Sequence, residues 1–182
     1  LRCSDGGGGL VALSSRGADE TVVWIAARRL GRRVGWTSTR YDAYLADFQG
    51  RDLHYRARLG LDAEGRILAY DVDMTGNIGA YTVYFVPMSN SYRIMTTVYD
   101  VPAAHVRIRG AMTNTVPTVP YRGAGRPEAH YAIERLLDMA ARKLGIDRVE
   151  IRRRNLVPKA KLPYRTQTGL TYDSGDFAFN MD

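Results

Sequence analysis

The chain has one cysteine, Cys3, in 182 residues. A single thiol rules out an internal disulfide, a thiolate-only metal site and an iron–sulfur cluster held by this chain alone. Such sparing use of cysteine is typical of a reducing compartment, and the cytoplasm is the expected location. Long apolar runs are missing too. No stretch nears the length of a membrane span, so no membrane partner is expected. Leu1-Arg2-Cys3-Ser4-Asp5 lacks the apolar stretch of a signal peptide. The first residue is not Met, and the chain reads as a piece of a longer polypeptide. Zinc-finger spacings and RNP-like runs are absent.

Acidic residues are also in short supply. Lys and Arg number 26 against 19 Asp and Glu, leaving a net charge of +7. Nucleic acid is the first partner that such a balance suggests. The basic residues are scattered, however, apart from Arg28-Arg29, Arg32-Arg33 and Arg152-Arg153-Arg154. Each cluster lies on or beside a predicted helix, where a solvated face is the ordinary explanation. No nucleic acid is expected; a phosphate-bearing ligand or an acidic neighbouring subunit accounts for the charge equally well.

What is present fits one domain with a real core. Leu1 to Ser4 reads as a weak strand running into Gly6-Gly7-Gly8-Gly9, a turn where backbone nears something else or a flexible terminus. Ala18 to Leu30 reads as a helix apolar on most sides, hence buried between layers, with Gly31 as its stop. Val34 to Ser38 reads as a short strand and Thr39 to Phe48 as a short helix or irregular segment. Leu53, Tyr55, Ala57, Leu59 and Leu61 alternate with polar residues, the period of a strand with one buried face. Asp62-Ala63-Glu64-Gly65 makes the turn. The return strand carries Leu68, Tyr70, Val72 and Met74, with Leu59 expected opposite Leu68, Arg56 opposite Asp71 and His54 opposite Asp73. Gly76, Asn77 and Gly79 suggest a bulge. Ala104 to Met112 reads as a strand. Ile133, Leu136, Leu137, Ala140 and Leu144 line one side of a helix from Pro127, with Glu134, Arg135, Asp138 and Arg142 facing water. Asp147 caps a shorter helix to about Asn155. Asp173-Ser174-Gly175-Asp176 reads as a cap for a helix from Phe177, near the last residue. The fold class is α+β, a mixed or antiparallel sheet with helices packed on one side.

The clearest candidate site is Val119-Pro120-Tyr121-Arg122-Gly123-Ala124-Gly125-Arg126-Pro127-Glu128. Pro127 sets the backbone dihedral that a first helical turn needs. Glu128 suits the positive end of the helix dipole. Free N–H groups, a helix start and two guanidinium groups together favour an anion, above all a phosphate. On local chemistry alone, a tight structural bend ranks ahead of a phosphate site.

The run Tyr-Arg-Gly-Ala-Gly-Arg-Pro-Glu-Ala, the helix after it, Leu144-Gly145-Ile146-Asp147, and Arg152-Arg153-Arg154-Asn155-Leu156 resemble the large subunit of molybdenum hydroxylases. That family includes xanthine dehydrogenase, aldehyde oxidase and aerobic carbon monoxide dehydrogenase. The resemblance continues at Gly50-Arg51-Asp52, Gly79-Ala80-Tyr81 and Tyr99-Asp100-Val101-Pro102, and covers nearly the whole chain. It implies one molybdopterin-binding domain over residues 1–182.

The resemblance implies a molybdopterin cofactor, in its cytosine dinucleotide form, carrying molybdenum. It places Gly7, Gly8, Gly9 and Leu10 on the family's Gly-Gly-Gly-Phe-Gly loop, with Leu10 in place of Phe and Val11 in place of Gly. It places Tyr121, Arg122, Gly123, Ala124 and Gly125 beside the pterin and metal, with Arg122 anchoring the loop or touching substrate. Gly123 stands where carbon monoxide dehydrogenases carry a copper-binding cysteine, which implies an organic substrate such as an aldehyde or N-heterocycle. Pro120 replaces a small residue and has no N–H to donate. The family's catalytic glutamate lies beyond this stretch, so no catalytic residue and no direct metal ligand is expected here. FAD and 2Fe-2S clusters are expected only on partner subunits, alongside the remainder of the large subunit. The other reading is a truncated, non-catalytic relative that serves as a binding module.

Overall fold

The computed structural model of the protein describes residues 18–181. The glycine loop with Gly7, Gly8, Gly9 and Leu10, the strand expected before it, and Val11 lie outside the described residues. The main elements in chain order are α1 (Ala18–Leu30), α2 (Arg40–Ala46), β1 (Leu53–Leu61), β2 (Ile67–Gly79), α3 (Val86–Arg93), β3 (Ala104–Met112), α4 (Arg126–Leu144), α5 (Arg148–Asn155), β4 (Tyr164–Arg165) and β5 (Thr171–Tyr172).

The alternating pattern of β1 and the Gly65 turn produce an antiparallel hairpin, and Gly65 takes a left-handed φ of 81°. β3 adds to the other side of β2 in parallel, so the three-stranded sheet is mixed and ordered β1-β2-β3. A parallel neighbour needs a crossover, and the chain makes it through α3. One sheet face carries Tyr70, Val72 and Met74, all buried against Ile133 and Leu137 of α4, Ile151 of α5 and Met95. Burial of each such side chain stabilises the fold by about 1.5–3 kcal/mol. The other face carries Arg56, Arg58, Asp71, Asp73, His105, Arg107 and Arg109 around a hollow of about 150 Å³ or along its edge. The α+β class, the mixed sheet and helices on one face are as the sequence predicts.

The hairpin register differs from expectation by two residues. Leu59 faces Tyr70, Arg56 faces Asp73 and His54 faces Thr75. An irregularity opposite Gly60 and Leu61 pairs Leu61 with Ile67 and Gly60 with Ala69, leaving Leu68 unpaired. Ile67 therefore enters the core at 3% exposure, while Leu68 is 53% exposed. A two-residue slip keeps every other side chain on its predicted face, so alternation alone cannot detect it. The second irregularity lies between Asn77 and Gly79, where a bulge is expected.

Other expectations change with packing. Val34 to Ser38 forms no strand. The Ala18–Leu30 helix forms as predicted, but Val22, Trp24 and Ile25 are exposed rather than buried. Glu134 and Asp138 do not simply face water. Glu134 accepts from the Tyr99 hydroxyl at 2.6 Å and from Arg152 Nε at 2.7 Å, and Asp138 accepts from Arg152 Nη2 at 2.9 Å. Arg152 is thus a bolt between α4 and α5 and not part of a solvated face; its side chain is only 18% exposed. Its hydrogen bond holds the Asp138 carboxyl below the usual carboxylate range. Asp147 caps α5 as expected, accepting from the N–H groups of Val149 and Glu150. Buried Asn155, at the end of α5, donates to Gly65 and Ile151 carbonyls and accepts from the Ile67 N–H at 2.7 Å. The cap residue Asp176 leads into a single 3-10 turn at Phe179–Met181.

Candidate functional site

The loop before α4 is built from backbone outward. Gly123, Ala124 and Gly125 take φ of 85°, 44° and 95°, a left-handed run of three residues. Ala124 is the costly member, at about 1–2 kcal/mol for a side chain in that region. The run closes on itself through Ala124 N–H to the Tyr121 carbonyl, 2.6 Å, and Arg126 N–H to the Gly123 carbonyl, 3.0 Å. Pro127 follows in the first turn of α4, as predicted.

Arg51 and Ser91, the latter backed by Tyr55, hold the loop by its carbonyls and its helix start. Arg51 donates through Nη2 to the Arg122 carbonyl and through Nη1 to Glu128 at 3.2 Å. Its guanidinium also lies over the Tyr121 ring, 5.1 Å from the centroid. Ser91 of α3 donates to the Gly125 carbonyl at 2.6 Å and accepts from the Tyr55 hydroxyl at 3.1 Å. Burial pushes the Tyr55 hydroxyl up to about 12, against the opposing pull of the Ser91 bond, so Tyr55 keeps its proton.

With the carbonyls tied inward, the N–H groups of Arg122, Gly123 and Gly125 find no acceptor among the described residues. In a trans peptide the N–H points opposite its carbonyl, so the Gly123 N–H faces away from Arg51. Tyr121, Arg122 and Gly123 are exposed, and the Arg122 side chain makes no ion pair among the described residues. The two glycines make room for the protein's own packing. A Cβ on Gly123 would meet Pro127 at 2.8 Å, and one on Gly125 would meet the Pro87 carbonyl oxygen at 1.9 Å. The space at both Cα atoms is filled by the protein itself; what remains for a guest is the set of unpaired N–H donors.

The five predicted residues Tyr121 to Gly125 thus form one loop, exposed at Tyr121, Arg122 and Gly123 and buried at Gly125, and the four predicted residues Gly7 to Leu10 lie outside the described residues. Sequence reasoning missed the anchors. Arg51, noted only within a Gly-Arg-Asp run, sits 71 residues before Arg122 in the chain, and Arg51, not Arg122, fastens the loop. Ser91 lies on a helix that no periodicity announced. Arg51 takes a φ of 62°, which no local sequence pattern reveals.

Donor chemistry of this kind, main-chain N–H groups with Arg122 and Arg126 at a helix start, fits a phosphate-bearing anion. The fold and loop are thus those of a domain suited to an anion. The chain belongs to the molybdopterin cofactor-binding domain family, whose family model matches residues 5–156. It is 37% identical over 158 residues to the carbon monoxide dehydrogenase large chain of Hydrogenophaga pseudoflava, covering 84% of this chain and 20% of that one. It is 31% identical to the nicotine 6-hydroxylase large subunit of Paenarthrobacter nicotinovorans, over 98% of this chain and 22% of the other. The crystal structure of quinoline 2-oxidoreductase from Pseudomonas putida 86 superposes with a TM-score of 0.89 at 31% identity, covering 97% of this chain and 23% of that chain. The chain spans about a fifth of the length of the curated relatives it matches. These matches do not favour the reading of a non-catalytic binding module. No helix among the described residues is long and apolar enough to cross a membrane.

Proposed function

We propose that this domain holds the molybdenum cofactor of a hydroxylase large subunit. The free N–H groups of Arg122 and Gly123, with the exposed Arg122 side chain beside them, bind its pterin and phosphates. That set of unpaired donors, fastened from behind by Arg51 and Ser91, is the observation that carries the reading. Gly7, Gly8, Gly9 and Leu10 form the second contact, and the dinucleotide is the cytosine form. When bound, the cofactor supplies a two-electron oxidation in which water provides the oxygen of the product. The role of this chain is to bind and orient it.

The substrate is a small organic molecule, an aldehyde or an N-heterocycle. Relatives named for nicotine and quinoline support the second of these. Gly123 offers no thiol for a second metal. FAD and 2Fe-2S clusters sit on partner subunits in the cytoplasm; the single cysteine of these 182 residues cannot ligate a cluster by itself. The test is direct. Protein purified from its native host is assayed for molybdenum by mass spectrometry and for pterin by fluorescence after oxidation. Stoichiometric amounts of both are expected; protein that contains neither would overturn the proposal.

A further inference from the structure

Asn77 sits where β2 breaks its pairing, far from the loop in sequence and half-buried. Its amide uses every bond it can make. Nδ2 donates to Asp52 Oδ2 at 2.8 Å and to Thr115 Oγ1 at 2.9 Å. Oδ1 accepts from the Thr113 hydroxyl at 2.8 Å and the Gly79 N–H at 2.8 Å. The backbone adds two more: its N–H donates to the Asp52 carbonyl at 3.0 Å, and its carbonyl accepts from the Thr118 hydroxyl. Two donors and two acceptors are the full capacity of an asparagine side chain. The amide orientation is dictated by its neighbours. The reverse orientation would set Oδ1 against a carboxylate and Nδ2 against an N–H.

These bonds join the two segments that frame the loop. One is the strap at 49–52. Asp52 is pinned by Asn77, Arg51 beside it grips the Arg122 carbonyl and Glu128, and Gln49 exchanges backbone bonds with Pro117 and Val119. The other is the linker from Thr113 to Thr118, which delivers the chain to Tyr121. It is pressed on β2 where Gly79, at a φ of 87°, lets the Pro117 backbone approach; a Cβ there would lie 2.5 Å from Pro117 Cα. Asn77 touches both segments at once, and no other described side chain bonds to both Asp52 and Thr115.

We infer that Asn77 is a positioning residue for the cofactor loop: its amide sets the strap against the linker and so aims Arg51 and the free N–H groups at 121–125. It touches neither cofactor nor substrate. The inference rests on the function proposed above, and the experiment separates the two.

The full native polypeptide, expressed in its own host, is compared with Asn77→Asp and with the exchanged pair Asp52→Asn/Asn77→Asp. Asn77→Asp keeps the size and both acceptor bonds but sets two carboxylates face to face. The exchanged pair restores one donor and one acceptor in swapped places. Amide hydrogen exchange is read over 113–125, with the interiors of β1 and α4 as internal controls, and retained pterin per polypeptide is measured. In Asn77→Asp, exchange over 113–125 is expected to rise about tenfold while the α4 interior keeps its protection. Retained pterin is expected to drop about tenfold, the usual size of an outer-shell effect. The exchanged pair restores both. Wild-type exchange in Asn77→Asp, or an exchanged pair no better than the single variant, overturns the inference, even if the single variant unfolds. Wild-type protein without pterin overturns the proposed function instead, and the exchange data still decide the role of Asn77.

Discussion

Helix α4 begins and ends on a left-handed glycine, and the pair forms a controlled comparison. Gly125 has φ 95° and Gly145 has φ 66°. Nothing lies within 4 Å of a Cβ built on Gly145, whereas one on Gly125 would lie 1.9 Å from the Pro87 carbonyl oxygen and 2.9 Å from the Ser91 nitrogen. Alanine at either site bears the left-handed strain, about 1–2 kcal/mol. Only Gly125→Ala must also push α3 from α4, by about 1.5 Å, to reach ordinary contact. Overpacking of that kind adds about 1–3 kcal/mol. The Ser91 bond to the Gly125 carbonyl strains as α3 moves. We expect Gly145→Ala to cost about 1 kcal/mol and Gly125→Ala about 3 kcal/mol. With a urea slope of about 2 kcal/mol per molar, the two midpoints separate by about 1 M. Equilibrium urea unfolding followed by circular dichroism reads this. Midpoints that coincide would show that the loop yields freely at Gly125, and the close approach of α3 would not then hold the site in place.

Three further outcomes are expected. Arg51→Ala should destabilise by about 2 kcal/mol, because it strips the Arg122 carbonyl and the largely buried Glu128 of their partner, while exposed Arg122→Ala stays within about 0.5 kcal/mol yet lowers retained pterin; equal losses in thermal unfolding would contradict this division of labour. Asn155→Ala should cost about 3 kcal/mol, since the Ile67 N–H and Gly65 carbonyl lose their buried partner; a loss under about 1 kcal/mol in urea would mean that water replaces the amide. Asp138 has a folded-state pKa below its unfolded value, so the stability it adds is complete above about pH 4 and disappears as pH falls through the folded value. Urea midpoints measured between about pH 5 and pH 2 should therefore fall more steeply for wild type than for Asp138→Asn, and parallel curves would refute the link to Arg152.

Sequence by itself determined the local elements. Period-two alternation placed β1, and β3 forms over the predicted Ala104–Met112; helical spacing with a glycine stop placed α4, and Asp147 placed the start of α5. These signals are local because one element buries one face, and the repeat of that face is written along a few residues. The glycine–proline turn at 123–127 was legible for the same reason. Tertiary structure alone decided the rest. The hairpin register moved by two because Ile67, not Leu68, fits the core beside Asn155, and alternation is blind to an even slip. The exposure of α1 depends on what packs beside it, which its own pattern does not state. Arg152 reads as surface charge until Glu134 and Asp138 come within reach. Arg51, Ser91 and Asn77 hold the loop from 34 to 77 residues away in the chain, through contacts such as Ser91 to Gly125 and Arg51 to Glu128. Pairings at that separation exist only once the sheet and α4 have brought the segments together, so no window of sequence contains them.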